Sequence, residues 1–281
     1  MQKFSRDNHA RRQCSLALLA PVNEALGQFR GDLTVSRDIH SHLIAETQRF
    51  RGRMYLADGA IQPRDLDANG RHIQSSDSRS WHLVMLNPMG RVIGCTRFRR
   101  HAGPVSWGQL SVRQSPIAES EEWGLRFRES VDAELAAAWR AGFSYVEVGG
   151  WALAKEIRGT FWALKTVLAI YAWSQLLGGA LAITTATERN KSAGILRRLG
   201  GKPLACDGAE LPAYYDHRYR CKMEVLRFDS REPNAKYRDM LDELREQVAT
   251  APVFCAEAPR EDRHKQWLPQ SFPLFESEVA C

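Results

Sequence analysis

The chain has 281 residues, 44% hydrophobic and 26% charged, a globular balance that excludes a disordered or fibrous protein. Its formal net charge of +6 favours anionic partners such as phosphorylated cofactors, acidic lipid surfaces or an acidic carrier protein. No Lys/Arg block is long enough for a nucleic-acid tail, and no zinc-finger or RNA-binding aromatic signature occurs, so nucleic acid is not an expected partner.

In chain order, the first thirty or so residues read as helical, ending near 27–31. A second helix starts at Ser36, an N-cap, and carries Ile39, Leu43, Ile44, Phe50 and Met54. The polar stretch 58–80 reads as a long loop. Strands are predicted at 81–86 and 92–98, joined by Asn87-Pro88-Met89-Gly90 as an antiparallel hairpin. An amphipathic helix follows over 118–141, then a strand over 145–153. An almost wholly apolar helix covers 159–177, ended by Gly178-Gly179. A short strand at 180–186, a helix at 190–199, a strand at 222–228 and a closing helix at 234–248 complete the pattern. This order implies an α/β sheet with helices packed on it. The expected organisation is a helical N-terminal cap (1–57), an α/β domain (58–250) and a surface tail (251–281) rich in proline.

The six cysteines, Cys14, Cys95, Cys206, Cys221, Cys255 and Cys281, are scattered without a CxxC pair. They read as reduced thiols of a cytoplasmic protein, and no metal site is expected. The apolar run 16–22 is short and lacks a cleavage site, so it does not read as a signal peptide. The segment 161–185 is interrupted by Lys165, Ser174, Gln175 and Gly178-Gly179. It reads as a buried helix followed by a buried strand, with membrane contact at most transient.

The stretch Glu147-Val148-Gly149-Gly150-Trp151-Ala152-Leu153-Ala154-Lys155-Glu156-Ile157-Arg158-Gly159-Thr160 runs from a strand through a turn into a helix. Such a turn gathers free backbone N–H groups at a helix N-terminus, a place for a phosphate. It resembles the acyl-donor loop of the GNAT superfamily, Arg/Gln-x-x-Gly-x-Gly/Ala. Arg158 fits its first position and Ala163 its last, while Phe161 stands where the middle glycine is usual. That crowds a pyrophosphate and favours an acyl-carrier donor with a single phosphate. The run 188–201 is similar to the family's later helix, which Asn190 opens; Gly201 replaces the usual aromatic.

Two flanking regions resemble the N-acyl amino acid synthases of the FeeM type and the related acyl-homoserine-lactone synthases. One comprises Arg51-Gly52-Arg53-Met54-Tyr55, the acidic pair Asp65 and Asp67, and a hairpin strand ending at Arg97. The other is Tyr219-Arg220-Cys221-Lys222-Met223-Glu224-Val225-Leu226-Arg227-Phe228-Asp229. Glu147 fits the glutamate of these families' Glu-x-x-Arg motif, and Gly150 stands where their arginine is common.

The resemblance implies a GNAT-type mixed sheet flanked by helices, in which strands 145–153 and 180–186 run parallel and splay apart near 147–151. It implies transfer of an acyl group, long-chain by expectation, from a pantetheine thioester to the amine of an amino acid or similar small molecule. The donor is an acyl-carrier protein or acyl-CoA, and no tightly bound cofactor is implied. Glu147 is the candidate base and Tyr215, or its neighbour Tyr214, the candidate acid. Trp151, Leu153, Arg158, Gly159, Thr160, Phe161, Trp162, Ala163 and Asn190 are candidates for the donor. Arg51, Tyr55, Asp67 and Arg97 are candidates for the acceptor, with Arg99, Arg100 and His101 extending a basic cluster. The rival readings are an acetyl-CoA acetyltransferase and an inactive binding module of the same fold.

Overall fold

A computed structural model describes residues 14–22, 24 and 29–258. The remainder of the expected N-terminal helix, Cys281 and residues 259–281 of the expected tail lie outside the described residues.

The main strands are β1 (Ser15–Leu19), β2 (Leu33–Val35), β3 (Trp81–Leu86), β4 (Val92–His101), β5 (Ser144–Leu153) and β6 (Ala180–Thr187). The short strands β7 (Lys202–Pro203), β8 (Ala205–Cys206), β9 (Ala209–Glu210) and β10 (Tyr214–Asp216) follow, then β11 (Cys221–Asp229) and β12 (Val253–Cys255). The helices are α1 (Arg37–Ala57), α2 (Gly124–Arg140), α3 (Phe161–Leu176), α4 (Ser192–Arg198) and α5 (Arg238–Ala249). The sheet order is β10-β11-β6-β5-β4-β3-β1-β12-β2, with β7 also on β11 and β8–β9 apart.

Two expectations need correction. Ser15–Leu19, read as helix, is an interior strand between β3 and β12. Its run of apolar residues is buried on both faces, so it shows none of the polar alternation that marks a half-exposed strand. Val253–Cys255, read as the start of a surface tail, pairs in parallel with β1 and β2. The hairpin, α1, α3 and the closing helix form as expected. Ser36 caps α1 by accepting from Ile39 N at 3.3 Å. Asn87 Oδ1 closes the hairpin by accepting from Met89 N and Arg91 N, each at 3.0 Å.

Side-chain alternation sorts the sheet into two faces. Phe98 pairs with Trp81 and Val148, and Phe98 and Trp81 both touch Trp173 of α3, so these strand residues share one face with α3. The opposite face carries His82, Arg97, Arg99, His101, Tyr145 and Glu147, covered by α1, α2 and the segment 105–119.

Strands β5 and β6 run parallel only from Ser144↔Ala180 to Glu147↔Ile183. Beyond that point β5 continues to Leu153 and β6 to Thr187 without pairing. Thr184 Oγ1 donates to Val148 O at 2.9 Å across the start of the gap. The splay lies where the sequence placed it.

Candidate active site

On the α3 face, the splay leads into an apolar cavity of about 540 Å³, counting space open to solvent. Val148, Trp151, Val167, Ile170, Leu196 and Phe228 supply its apolar wall. Trp151 is fixed there by its indole N–H, which donates to Thr166 Oγ1 at 3.0 Å. Leu153 is buried at the end of β5, and Ala163 is buried in the first turn of α3.

The turn from β5 into α3 is largely satisfied from within. Thr160 Oγ1 caps α3 by accepting from Trp162 N at 3.2 Å. Arg158 donates through Nε to Leu153 O at 2.9 Å and through Nη1 to Asp58 Oδ1 at 2.8 Å, tying the turn to the end of α1. Gly159 takes φ +74°, and Phe161 is half-exposed at the helix start, with Lys165 stacked over Trp162. Asn190 and Lys191 both adopt left-handed backbone, with φ of 55° and 59°, in the turn before α4.

On the other face, Asp77 gathers a buried network that the sequence reading missed. Its carboxylate accepts from Arg51 Nη2 at 2.7 Å, Arg97 Nη1 at 2.7 Å, Gln48 Nε2 at 2.9 Å and Gln74 N at 3.0 Å. Arg51 is fully buried and also donates to His72 O at 2.5 Å. Burial works against the charged Asp77, yet Arg51 and Arg97 overcome it and hold the carboxyl well below the usual range. Tyr55 packs its ring on His72, and burial keeps its phenol protonated. Asp65 and Asp67 stand apart from this network: Asp65 accepts from Gln62 N, and Asp67 closes a turn with Arg71. The only sequence signal for Asp77 was chemical, since two arginines on facing elements require a carboxylate within reach.

Gly150 explains the missing arginine. Its φ is +66°, and a Cβ there would lie 3.3 Å from Arg51 Nη1 and 3.2 Å from Arg97 Cβ. Two arginine side chains from other elements fill the space beside it. Arg97 Nη2 lies over Gly149, 3.5 Å from where a Cβ would be.

Glu147 sits one pair further along the same face. Its carboxylate accepts from Ser111 N at 2.5 Å, Val112 N at 3.2 Å and His101 Nε2 at 3.2 Å, with Arg99 at 3.7 Å. Burial alone would raise its pKa, but His101, the Ser111 N–H and Arg99 outweigh burial and lower it. Tyr215 points outward, 49% exposed, beside His217. Tyr214 turns inward to the core that holds Ile183 and Val225, and burial raises its pKa.

His72 and His82 flank Asp77, and burial pushes both down to about 4. For His72 the Arg51 charge adds to burial; for His82 the hydrogen bond to Asp77 O opposes it. A depressed histidine pKa means the unfolded chain binds more protons between pH ~6.5 and ~4. Stability is therefore full above pH ~6.5 and falls as the pH drops toward ~4. Urea denaturation at pH 7 and pH 5 should show the loss, and His82→Gln, which keeps a donor for Asp77 O, should reduce it. An unchanged pH slope in that variant would remove His82 from the account.

No protein-family model matches the chain, and no curated protein matches it. Solved structures do. A CoA-dependent acyl-homoserine lactone synthase, BjaI, bound to SAM and isopentyl-CoA, aligns with a TM-score of 0.51 and 15% identity over 89% of this chain and 96% of that chain. The same synthase with MTA gives a TM-score of 0.51 and 16% identity over the same shares. FeeM, an N-acyl amino acid synthase from uncultured soil microbes, gives 0.44 and 13% over 71% of this chain and 89% of that chain. Together with the splayed mixed sheet, these likenesses show that the chain has the GNAT-type fold of the acyl-homoserine lactone synthases.

Proposed function

We propose that the protein is an N-acyltransferase that moves an acyl group from a pantetheine thioester to the amine of an amino acid or similar small molecule. The observation that carries this reading is the gap between β5 and β6, with an apolar cavity on one face and the charged row Glu147, Arg97, Asp77 on the other. The pantetheine arm enters the gap, the acyl chain lies in the cavity, and the acceptor approaches from the charged face.

The acceptor amine attacks the thioester carbon as Glu147 takes its proton through a bridging water, because both carboxylate oxygens already accept hydrogen bonds. Backbone N–H groups on the unpaired edge of β5 hold the oxyanion. The C–S bond then breaks, and the thiolate takes a proton. Tyr214 suits this step better than Tyr215, because it faces the side that carries Glu147 and stays protonated. Arg97 Nη2 receives the acceptor's carboxylate, Tyr55 borders that space, and Arg51 with Asp77 holds Arg97 in place. Asp67 shapes the neighbouring loop.

The donor is an acyl-carrier protein by the sequence reading, while the BjaI likeness, a CoA-dependent enzyme, supports CoA. The apolar cavity disfavours acetyl, since a two-carbon group would leave it unfilled. Mass spectrometry of lipid extracts from cells overexpressing the protein should show a new N-acyl amine; extracts identical to those of the Glu147→Gln variant would count against transfer. Arg158→Ala should weaken donor binding by about 1–3 kcal/mol, the scale of a hydrogen bond to a charged group. Unchanged donor affinity would leave Arg158 only its ties to Leu153 O and Asp58.

A further inference from the structure

The two strands of the splay are tied together again at its far end through one residue. Strand β5 ends at Leu153 and β6 at Thr187. Arg158 follows the first, anchored by Nε on Leu153 O at 2.9 Å. Arg189 follows the second. Its carbonyl accepts from Thr187 Oγ1 at 3.2 Å, and its Nη2 donates to Tyr219 O at 3.0 Å and to Arg220 O at 3.2 Å. Asp58, the C-cap of α1, stands between the two arginines. Its carboxylate accepts from Arg158 Nη1 at 2.8 Å, and its carbonyl accepts from Arg189 Nη1 at 3.3 Å. The side chains of Arg158 and Asp58 are 31% and 20% exposed, so a ligand can reach the pair.

Helix α1 does not need this carboxylate. Its last turn closes on backbone alone: Ala60 N donates to Tyr55 O at 2.8 Å and Gly59 N to Leu56 O at 3.0 Å, with Gly59 at φ +66°. Among the described residues, the Asp58 side chain accepts from Arg158 alone. A phosphate seated on Arg158 would also meet the positive end of α3, which begins three residues later. Carboxylate and phosphate are alternative anions for one guanidinium. We propose that Asp58 is a specificity-determining residue of the donor site: its carboxylate holds the place of the donor's phosphate on Arg158 and yields it only to a phosphorylated pantetheine arm. This rests on the reading of Arg158 as a donor contact and deepens it. A thioester arm without phosphate cannot displace Asp58 and gains nothing from Arg158. When the phosphate arrives, the end of α1 keeps only its tie to Arg189 across the mouth of the splay.

The test is calorimetric titration of the full-length protein with octanoyl-CoA, octanoyl-acyl-carrier protein and octanoyl-pantetheine, the last of which lacks the phosphate. It needs no acceptor. Asp58→Asn should bind a phosphorylated donor about two- to fivefold more tightly, the scale of a competing, partly exposed ion pair. Its affinity for octanoyl-pantetheine should not change. The gain should vanish when Arg158→Ala is added, and the donor that shows it identifies the source of the phosphate as CoA or a carrier protein. Asp58→Ser should give the same gain and keeps the test decisive if the asparagine disturbs the fold. Equal or weaker binding of both phosphorylated donors by these variants overturns the proposal, because a merely structural Asp58 is neutral or harmful to replace. A gain that extends equally to octanoyl-pantetheine, or that survives Arg158→Ala, overturns it as well. Binding that Arg158→Ala alone leaves unchanged removes the phosphate from Arg158, and the proposal with it. Binding of none of the three donors by the unsubstituted protein would instead remove the acyl-donor reading itself.

Discussion

Glu147→Gln is expected to lower kcat by about 10²–10⁴-fold, the range for loss of a general base, with donor affinity close to that of the unsubstituted protein. The amide keeps the shape of the carboxylate. Its oxygen still accepts from Ser111 N and Val112 N, so the segment over this face stays in place. What is lost is the negative charge that draws the proton from the acceptor amine as it attacks. Raising the pH should restore part of the rate, because more acceptor is then neutral. A purely structural Glu147 would behave otherwise: the variant would lose thermal stability, keep its turnover at neutral pH, and show no rescue by alkali.

Asp77→Ala should be the most destabilising single substitution in the polar face, costing roughly 3–5 kcal/mol, the penalty for stranding a buried charge. Arg51 has no exposure to solvent, and Asp77 supplies its carboxylate partner. Arg97 loses the same partner, and Gln48 and Gln74 N lose their acceptor. A melting temperature lower by roughly 10 °C corresponds to that penalty in a domain of this size. Replacing Arg51 and Asp77 together by apolar residues of similar volume should recover much of the loss, since the desolvation cost of the pair disappears with the pair. A single Asp77→Ala protein that melts with the unsubstituted chain would mean that water enters the cluster and that its burial is only apparent.

Much of the fold was legible because its signals are local. The hairpin has its Asn and Gly, α1 its Ser36 cap, and α3 an apolar run too long for a strand. Residues 15–19 were not legible: the four apolar residues in a row after Ser15 carry no period, and only pairing with β3 and β12 makes them a strand. The acidic partner of Arg51 and Arg97 was hidden for a related reason. Asp65 and Asp67 stand in a more evident pattern than Asp77, but Asp67 closes its own turn while Asp77 sits directly before β3, opposite both arginines. The choice between Tyr214 and Tyr215 likewise depends on which face of β10 meets the core, which two adjacent tyrosines do not disclose.

Strand β12 has a consequence for how the chain is made. Strand β1 can pair with β3 as soon as the hairpin has emerged from the ribosome, but its second edge is filled by Val253 and Phe254. Among the described residues, strand β2 pairs with β12 alone. During synthesis the nascent protein therefore carries an apolar strand with one row of open N–H and C=O groups until Val253 and Phe254 have been made. That row is an invitation to other nascent chains until the last strand arrives. Ribosome stalling or premature termination just before Val253 should yield a product that aggregates even though every residue of the face that carries Asp77, Arg97 and Glu147 has been made.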